Sequence, residues 1–130
     1  MKKIYTVGHS NKSIEEFVAL LNTRSIALVV DVRSRPFSKY VPQFNRPNLA
    51  HALSRAGIEY LYRGKNLGGL DVNVQQDETI EELVELAKEN DVRLALMCSE
   101  AKADQNCHRY TILTPLFEAR GIEVEHLVWN

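Results

Sequence analysis

Two cysteines, four histidines and several arginines supply the reactive side chains of this chain, and most of them stand where short apolar runs end. His9, Ser10 and Asn11 follow the run at 3–7, and Asp31, Arg33, Ser34 and Arg35 close or follow the run at 27–32. Arg63 and Lys65 follow 58–62, while Cys98, Ser99 and Glu100 follow 92–97. Cys107, His108 and Arg109 open the next helical stretch. A cysteine acts as a nucleophile when a nearby cation or helix N-terminus favours its thiolate. Cys107 sits beside His108 and Arg109, and Cys98 could feel the same cations across one loop. This suggests Cys98 as nucleophile, His9 as proton carrier, Asp31 or Glu100 as acid, base or orienter, and Arg33 and Arg109 as anion clamps. Ser10, Cys107 and His108 are further ligand contacts, and Tyr40, between Lys39 and Val41, offers a ring on which a base could stack.

Each group also has a purely structural reading. His9 and Ser10 suit a turn; Asp31 and Arg33, two apart on an extended chain, share a face and could pair with each other. Cys98 could be a small buried hydrophobe. Several familiar sites do not fit. A phosphatase cradle needs an arginine six positions after its cysteine, and Asp104 stands there instead. Asp31-Val32-Arg33 resembles a rhodanese strand end, but the residues after Cys98 lack the Gly- and Arg-bearing loop, so that assignment is rejected. Zinc would need Cys98, Cys107, His108 and His9 together, and adjacent side chains rarely reach one ion, so no metal is expected. No phosphate-binding Walker loop, dinucleotide glycine fingerprint or Gly-x-Ser-x-Gly elbow occurs, and the sequence calls for no cofactor.

The elements that would position these groups alternate between strand and helix. Ser13-Ile14-Glu15-Glu16 reads as a capping box, followed by Ile14, Phe17, Val18 and Leu21 at helical spacing to about Arg24. Pro47 suits the first turn of a second helix carrying Leu49 and Leu53 and closed by Gly57. Thr79-Ile80-Glu81-Glu82 repeats the capping pattern ahead of Leu83, Val84 and Ala87. A fourth helix is expected from Cys107 to Arg120, kinked by Pro115 and closed by Gly121. The segments 33–46 and 63–77 read as long loops, the second made flexible by Gly64, Gly68 and Gly69. His51 should face solvent and His126 should pack in the last strand. The series predicts a single three-layer α/β domain, Rossmann-like, with a mostly parallel five-stranded sheet and about four helices. Ligands of such sheets bind outside the carboxyl ends of the strands, where the polar groups fall.

The net charge of −1 conceals a basic stretch, +6 over 33–65, and an acidic one, −7 over 71–91. The basic stretch favours anionic partners, above all a phosphate-bearing small molecule or nucleotide held by Arg33, Arg35, Arg63, Lys65 and Arg109. A nucleic-acid-binding module using 33–65 is the alternative, and a head-to-tail interaction module using the two opposite patches is a third. No apolar run is long enough to span a membrane, the N-terminus lacks a signal-type core, and two cysteines make no disulfide framework, so a cytoplasmic address is expected.

Thr6-Val-Gly-His-Ser10, Asp31-Val-Arg-Ser34, Pro36, Ser38, Phe44, Gly57-Ile-Glu-Tyr60, Leu67-Gly-Gly69, Cys98-Ser-Glu100 and Cys107-His-Arg109, in this order and spacing, resemble the family of the domain of unknown function 488. The chain departs from that pattern in the short stretch between Gly69 and the third helix. The resemblance implies a fold and a shared polar rim and brings no activity with it.

Overall fold

The structure, a computed structural model, describes residues 2–69, 73–100 and 109–129. Its strands are β1 Lys3–Gly8, β2 Leu28–Asp31, β3 Glu59–Tyr62, β4 Leu94–Cys98 and β5 Glu123–His126. They form one sheet in the order β3-β2-β4-β1-β5, every pairing parallel, with Gly8 opposite Cys98 and Asp31 opposite Met97. The strands alternate their side chains between two cores. Ile4, Leu28, Val30, Leu94 and Leu96 pack with Ile80, Leu83 and Val84 of α4 (Gln76–Lys88) and Phe117 of α5 (Thr114–Glu118). Tyr5, Val7, Val29, Ala95 and Met97 pack on the other face, with Phe17 and Leu21 of α1 (Ile14–Asn22) and Leu49 and Leu53 of α2 (Arg46–Arg55). A sheet covered on both sides explains why all four residues of β2 are buried. The three-layer α/β expectation holds, and the sheet is wholly parallel.

Helix ends are set by local chemistry. The Ser13 hydroxyl accepts from the Glu16 amide at 3.1 Å, and the Glu16 carboxylate accepts from the Ser13 amide at 3.0 Å, the reciprocal box predicted for α1. Pro47 occupies the first turn of α2, and Gly57, at φ 76°, turns the chain into β3.

Four expectations are corrected. The capping box at Thr79 does not form, because α4 begins at Gln76 and Thr79 lies in its first turn, its hydroxyl donating to the Gln75 carbonyl at 3.0 Å. Asp77 and Glu78 complement the helix dipole from that earlier start. Pro115 does not lie inside one long α-helix. A π-helical turn, Arg109–Leu113, runs directly into α5, and the change from π to α form falls just before Pro115. The expected start of that helix at Cys107 lies outside the described residues. Neither long loop is featureless. The first holds a 3-10 turn, Pro42–Phe44, anchored by the fully buried Phe44; the second opens with α3 (Gly64–Leu67), anchored by Leu67. Gly64 is needed there for close approach rather than for flexibility, since a Cβ would overlap the Arg33 carbonyl.

The connections part at one place. After β1 and β2 the chain crosses the α1/α2 face, and after β3 and β4 it crosses the α4/α5 face. The carboxyl end of β4, between β1 and β2, therefore lies where loops diverge, the usual position of a ligand crevice. Among the described residues no helix is long and apolar enough to cross a membrane. Replacing Ser13 with alanine removes the box; a loss of about 1 kcal/mol in urea unfolding with an unchanged m-value is expected.

Candidate functional site

The expected polar groups reach the same edge of the sheet, but strand alternation divides them between its two faces. On the α1/α2 side Asp31 is wholly buried and saturated with donors. Arg33 Nε and the Arg33 amide donate to Oδ1 at 2.9 and 3.1 Å, and Arg33 Nη2 and the Tyr60 hydroxyl donate to Oδ2 at 2.8 and 2.6 Å. Burial and the Asp31 carboxylate hold the Tyr60 phenol well above its ordinary pKa, so it remains a donor. His9 completes the cluster, its ring stacked on Phe44 with centroids 4.5 Å apart. The Ser10 carbonyl can only accept, so the neutral ring carries its proton on Nδ1, which donates at 2.7 Å; Nε2 faces Arg33 Nη1 at 3.5 Å. Burial lowers the His9 pKa to about 4, opposed by the bond to Ser10 and reinforced by the Arg33 charge. Asp31 thus orients Arg33, and His9 is a neutral ring at physiological pH.

On the α5 side stand Cys98 and Arg109. Arg109 is 1% exposed, and its Nη1 donates to Cys98 Sγ at 3.2 Å and to the Glu100 carbonyl at 3.1 Å. Its Nε and Nη2, both buried, have no hydrogen-bond partner among the described residues. Two other arginines use that Nε/Nη2 fork on a carboxylate: Arg33 on Asp31, and Arg63 on Glu82 at 3.0 and 3.0 Å. The fork matches two oxygens of one anion, and in Arg109 it is vacant among the described residues. Nearby, His126 Nδ1 and Thr6 Oγ1 lie 2.6 Å apart, and burial, then the Arg109 charge, lowers the His126 pKa.

Gly8 joins the halves. A Cβ there would overlap the Glu100 carbonyl and stand 2.7 Å from Arg109 Nη1. The next amide, of His9, donates to the Cys98 carbonyl at 3.0 Å, and Ser10, in a left-handed turn at φ 53°, donates from its amide to Ser99 O. Trp129 Nε1 donates to the Gly8 carbonyl at 2.7 Å.

Of the residues expected at the rim, His9, Asp31 and Arg33 meet on one side and Cys98 and Arg109 on the other. Ser10 acts through its backbone, and Glu100 accepts through its carbonyl while its side chain is exposed. Tyr40 is 83% exposed with Lys39 Nζ 5.3 Å from its ring centroid. Arg63 is turned to α4, away from the expected rim. Cys107 and His108 lie outside the described residues. His51 is exposed, and His126 is half-buried in β5. Phe44 and Tyr60 were expected as rings for stacking or core packing; that Tyr60 donates to Asp31, that Phe44 stacks on His9 and that Gly8 is the point of contact were not anticipated.

Residues 13–75 match the family described as Domain of unknown function DUF488. The match contains Asp31, Arg33, Phe44 and Tyr60 and stops short of Cys98 and Arg109. No curated protein and no solved structure matches the chain.

His9 makes acid stability testable. Its unfolded pKa near 6.5 exceeds the folded value of about 4, so its contribution is complete above pH 6.5 and is lost as pH falls from 6.5 towards 4, by about 3 kcal/mol in all. His9→Phe keeps a ring on Phe44 and cannot titrate; its urea-derived stability should fall less than the wild type's over that window, and identical losses would sink the assignment.

Proposed function

Taking the chain as a member of the DUF488 family, matched over residues 13–75, we propose that it binds or transforms a phosphate-bearing small molecule or nucleotide beside β4. The site is the α5 side of the sheet's carboxyl edge, with Arg109 as the anion contact. One observation carries this reading: the Arg109 fork is buried and without a partner among the described residues, while the forks of Arg33 and Arg63 each hold a carboxylate. Each buried donor without a partner costs about 1–3 kcal/mol, and a phosphoryl or similar oxyanion recovers that cost with charge-assisted bonds. The Asp31–Arg33–Tyr60–His9 cluster stands on the other face of the same edge, where Asp31 already accepts four hydrogen bonds.

Calorimetry at low salt with inorganic phosphate, a sugar phosphate and AMP tests the reading. Saturable binding of at least one is expected, with loss in Arg109→Gln. At ligand 100-fold above Kd the wild type should gain about 2.7 kcal/mol of stability. No binding of any of the three at millimolar concentration overturns it.

A second reading has its own observation. Phe37 and Tyr40, 63% and 83% exposed, sit with Lys39 in a loop that contains no acid between Arg33 and Arg46. Such a loop suits a single-stranded nucleic acid that stacks on the rings. It predicts salt-dependent binding of single-stranded RNA or DNA that weakens about tenfold in Tyr40→Ala; the absence of any gel shift at low salt removes it.

A further inference from the structure

A buried guanidinium needs a counter-charge, and among the described residues no carboxylate reaches Arg109. What its Nη1 does reach is the Cys98 sulfur, at 3.2 Å. A cation donating to sulfur favours the thiolate, the nucleophilic form. Cys98 is also partly exposed at the carboxyl end of β4, so its sulfur is not sealed in the core. One arginine thus presents two chemically different edges. The Nη1 edge is bound to a sulfur, and the Nε/Nη2 edge is shaped for two oxygens of one anion and is unoccupied by any described residue.

We propose that Cys98 and Arg109 form a nucleophile and oxyanion-holder pair, a covalent site for an electrophile that itself carries an oxyanionic group. The substrate's oxyanion docks on the Arg109 fork, which brings its electrophilic atom to the sulfur. The Cys98 thiolate donates its electron pair to that atom, a bond to sulfur forms, and the leaving group departs with the pair of its broken bond. No proton donor to sulfur and no external oxidant is required. This pair rests on the reading of Arg109 as the anion contact and adds to it the reacting atom and the electrophilic nature of the ligand.

Iodoacetate and iodoacetamide separate the pair from an ordinary thiol, because they share one reactive carbon and differ in the carboxylate. With either reagent the sulfur attacks the methylene carbon, a carbon–sulfur bond forms and iodide leaves. Rates are measured on the wild-type chain at low salt, with peptide mapping to separate Cys98 from Cys107. Cys98 should react with iodoacetate about tenfold faster than with iodoacetamide, the gain of one charge-assisted bidentate contact. In Arg109→Lys the point charge persists without the fork, so the preference should collapse; if this variant does not fold, the wild-type ratio and its reversal by salt still decide. Equal rates, or faster reaction with iodoacetamide, overturn the pair. Inorganic phosphate then distinguishes the two readings. Phosphate that binds by calorimetry while iodoacetate shows no preference leaves the phosphate-ligand reading standing and removes the covalent pair. A strong iodoacetate preference without phosphate binding or protection of Cys98 keeps the pair and removes phosphate as its ligand.

Discussion

The carboxyl edge depends on two backbones coming into contact at Gly8. The end of β1 lies against the 98–100 turn so closely that no side chain fits between them, and the Arg109 guanidinium fills the space beside it. Two amides and the Trp129 indole are organised around that contact: His9 to Cys98, Ser10 to Ser99, and Trp129 to Gly8 itself. Without the close approach the Glu100 carbonyl could not share Arg109 Nη1 with the Cys98 sulfur. The absence of one methyl group therefore decides where the Cys98 sulfur stands.

The two faces of that edge use charge differently. On the α1/α2 side an ion pair is buried with Asp31 accepting four hydrogen bonds, and Arg33 Nη1 faces His9 Nε2. Such a pair contributes little net stability because desolvation offsets its attraction, but it fixes the direction of the chain as it leaves β2. On the α5 side the same residue type is buried with its fork unfilled. A satisfied network acts as a scaffold, whereas buried donors without partners are costly to keep.

Much of the architecture was legible in the sequence. The strand and helix alternation, the Ser13 box, the core stripe of α1 and the left-handed stops at Gly57 and Gly121 are local signals, and local chemistry decides them. The Thr79 box was misread because Gln75, a residue with little preference for the left-handed region, starts α4 there; that choice comes from the loop before it and not from the motif. The site was half legible. Placement of His9, Asp31, Arg33, Cys98 and Arg109 at the carboxyl edge follows from strand order alone. Their division between faces was written in the parity of the strand residues: His9, Asp31 and Arg33 continue the inward positions of Val7 and Val29, whereas Cys98 continues those of Leu94 and Leu96. The emptiness of the Arg109 fork has no sequence signal, since it depends on which carboxylates happen to lie within reach after folding.

The strand order also governs when the edge can exist. β1 is made first yet lies inside the sheet, between β4 and β5, and Gly8 pairs with Cys98 while Lys3 pairs with Glu123. β2 and β3 pair next to each other along the chain, but β1 must wait for neighbours from the far end, and pairing so distant is slow because the intervening chain must first lose its freedom. A nascent chain emerging in order would hold β1 and its glycine exposed until β4 arrives. The Cys98 sulfur and the Arg109 guanidinium would then come together only once β4 has docked beside β1.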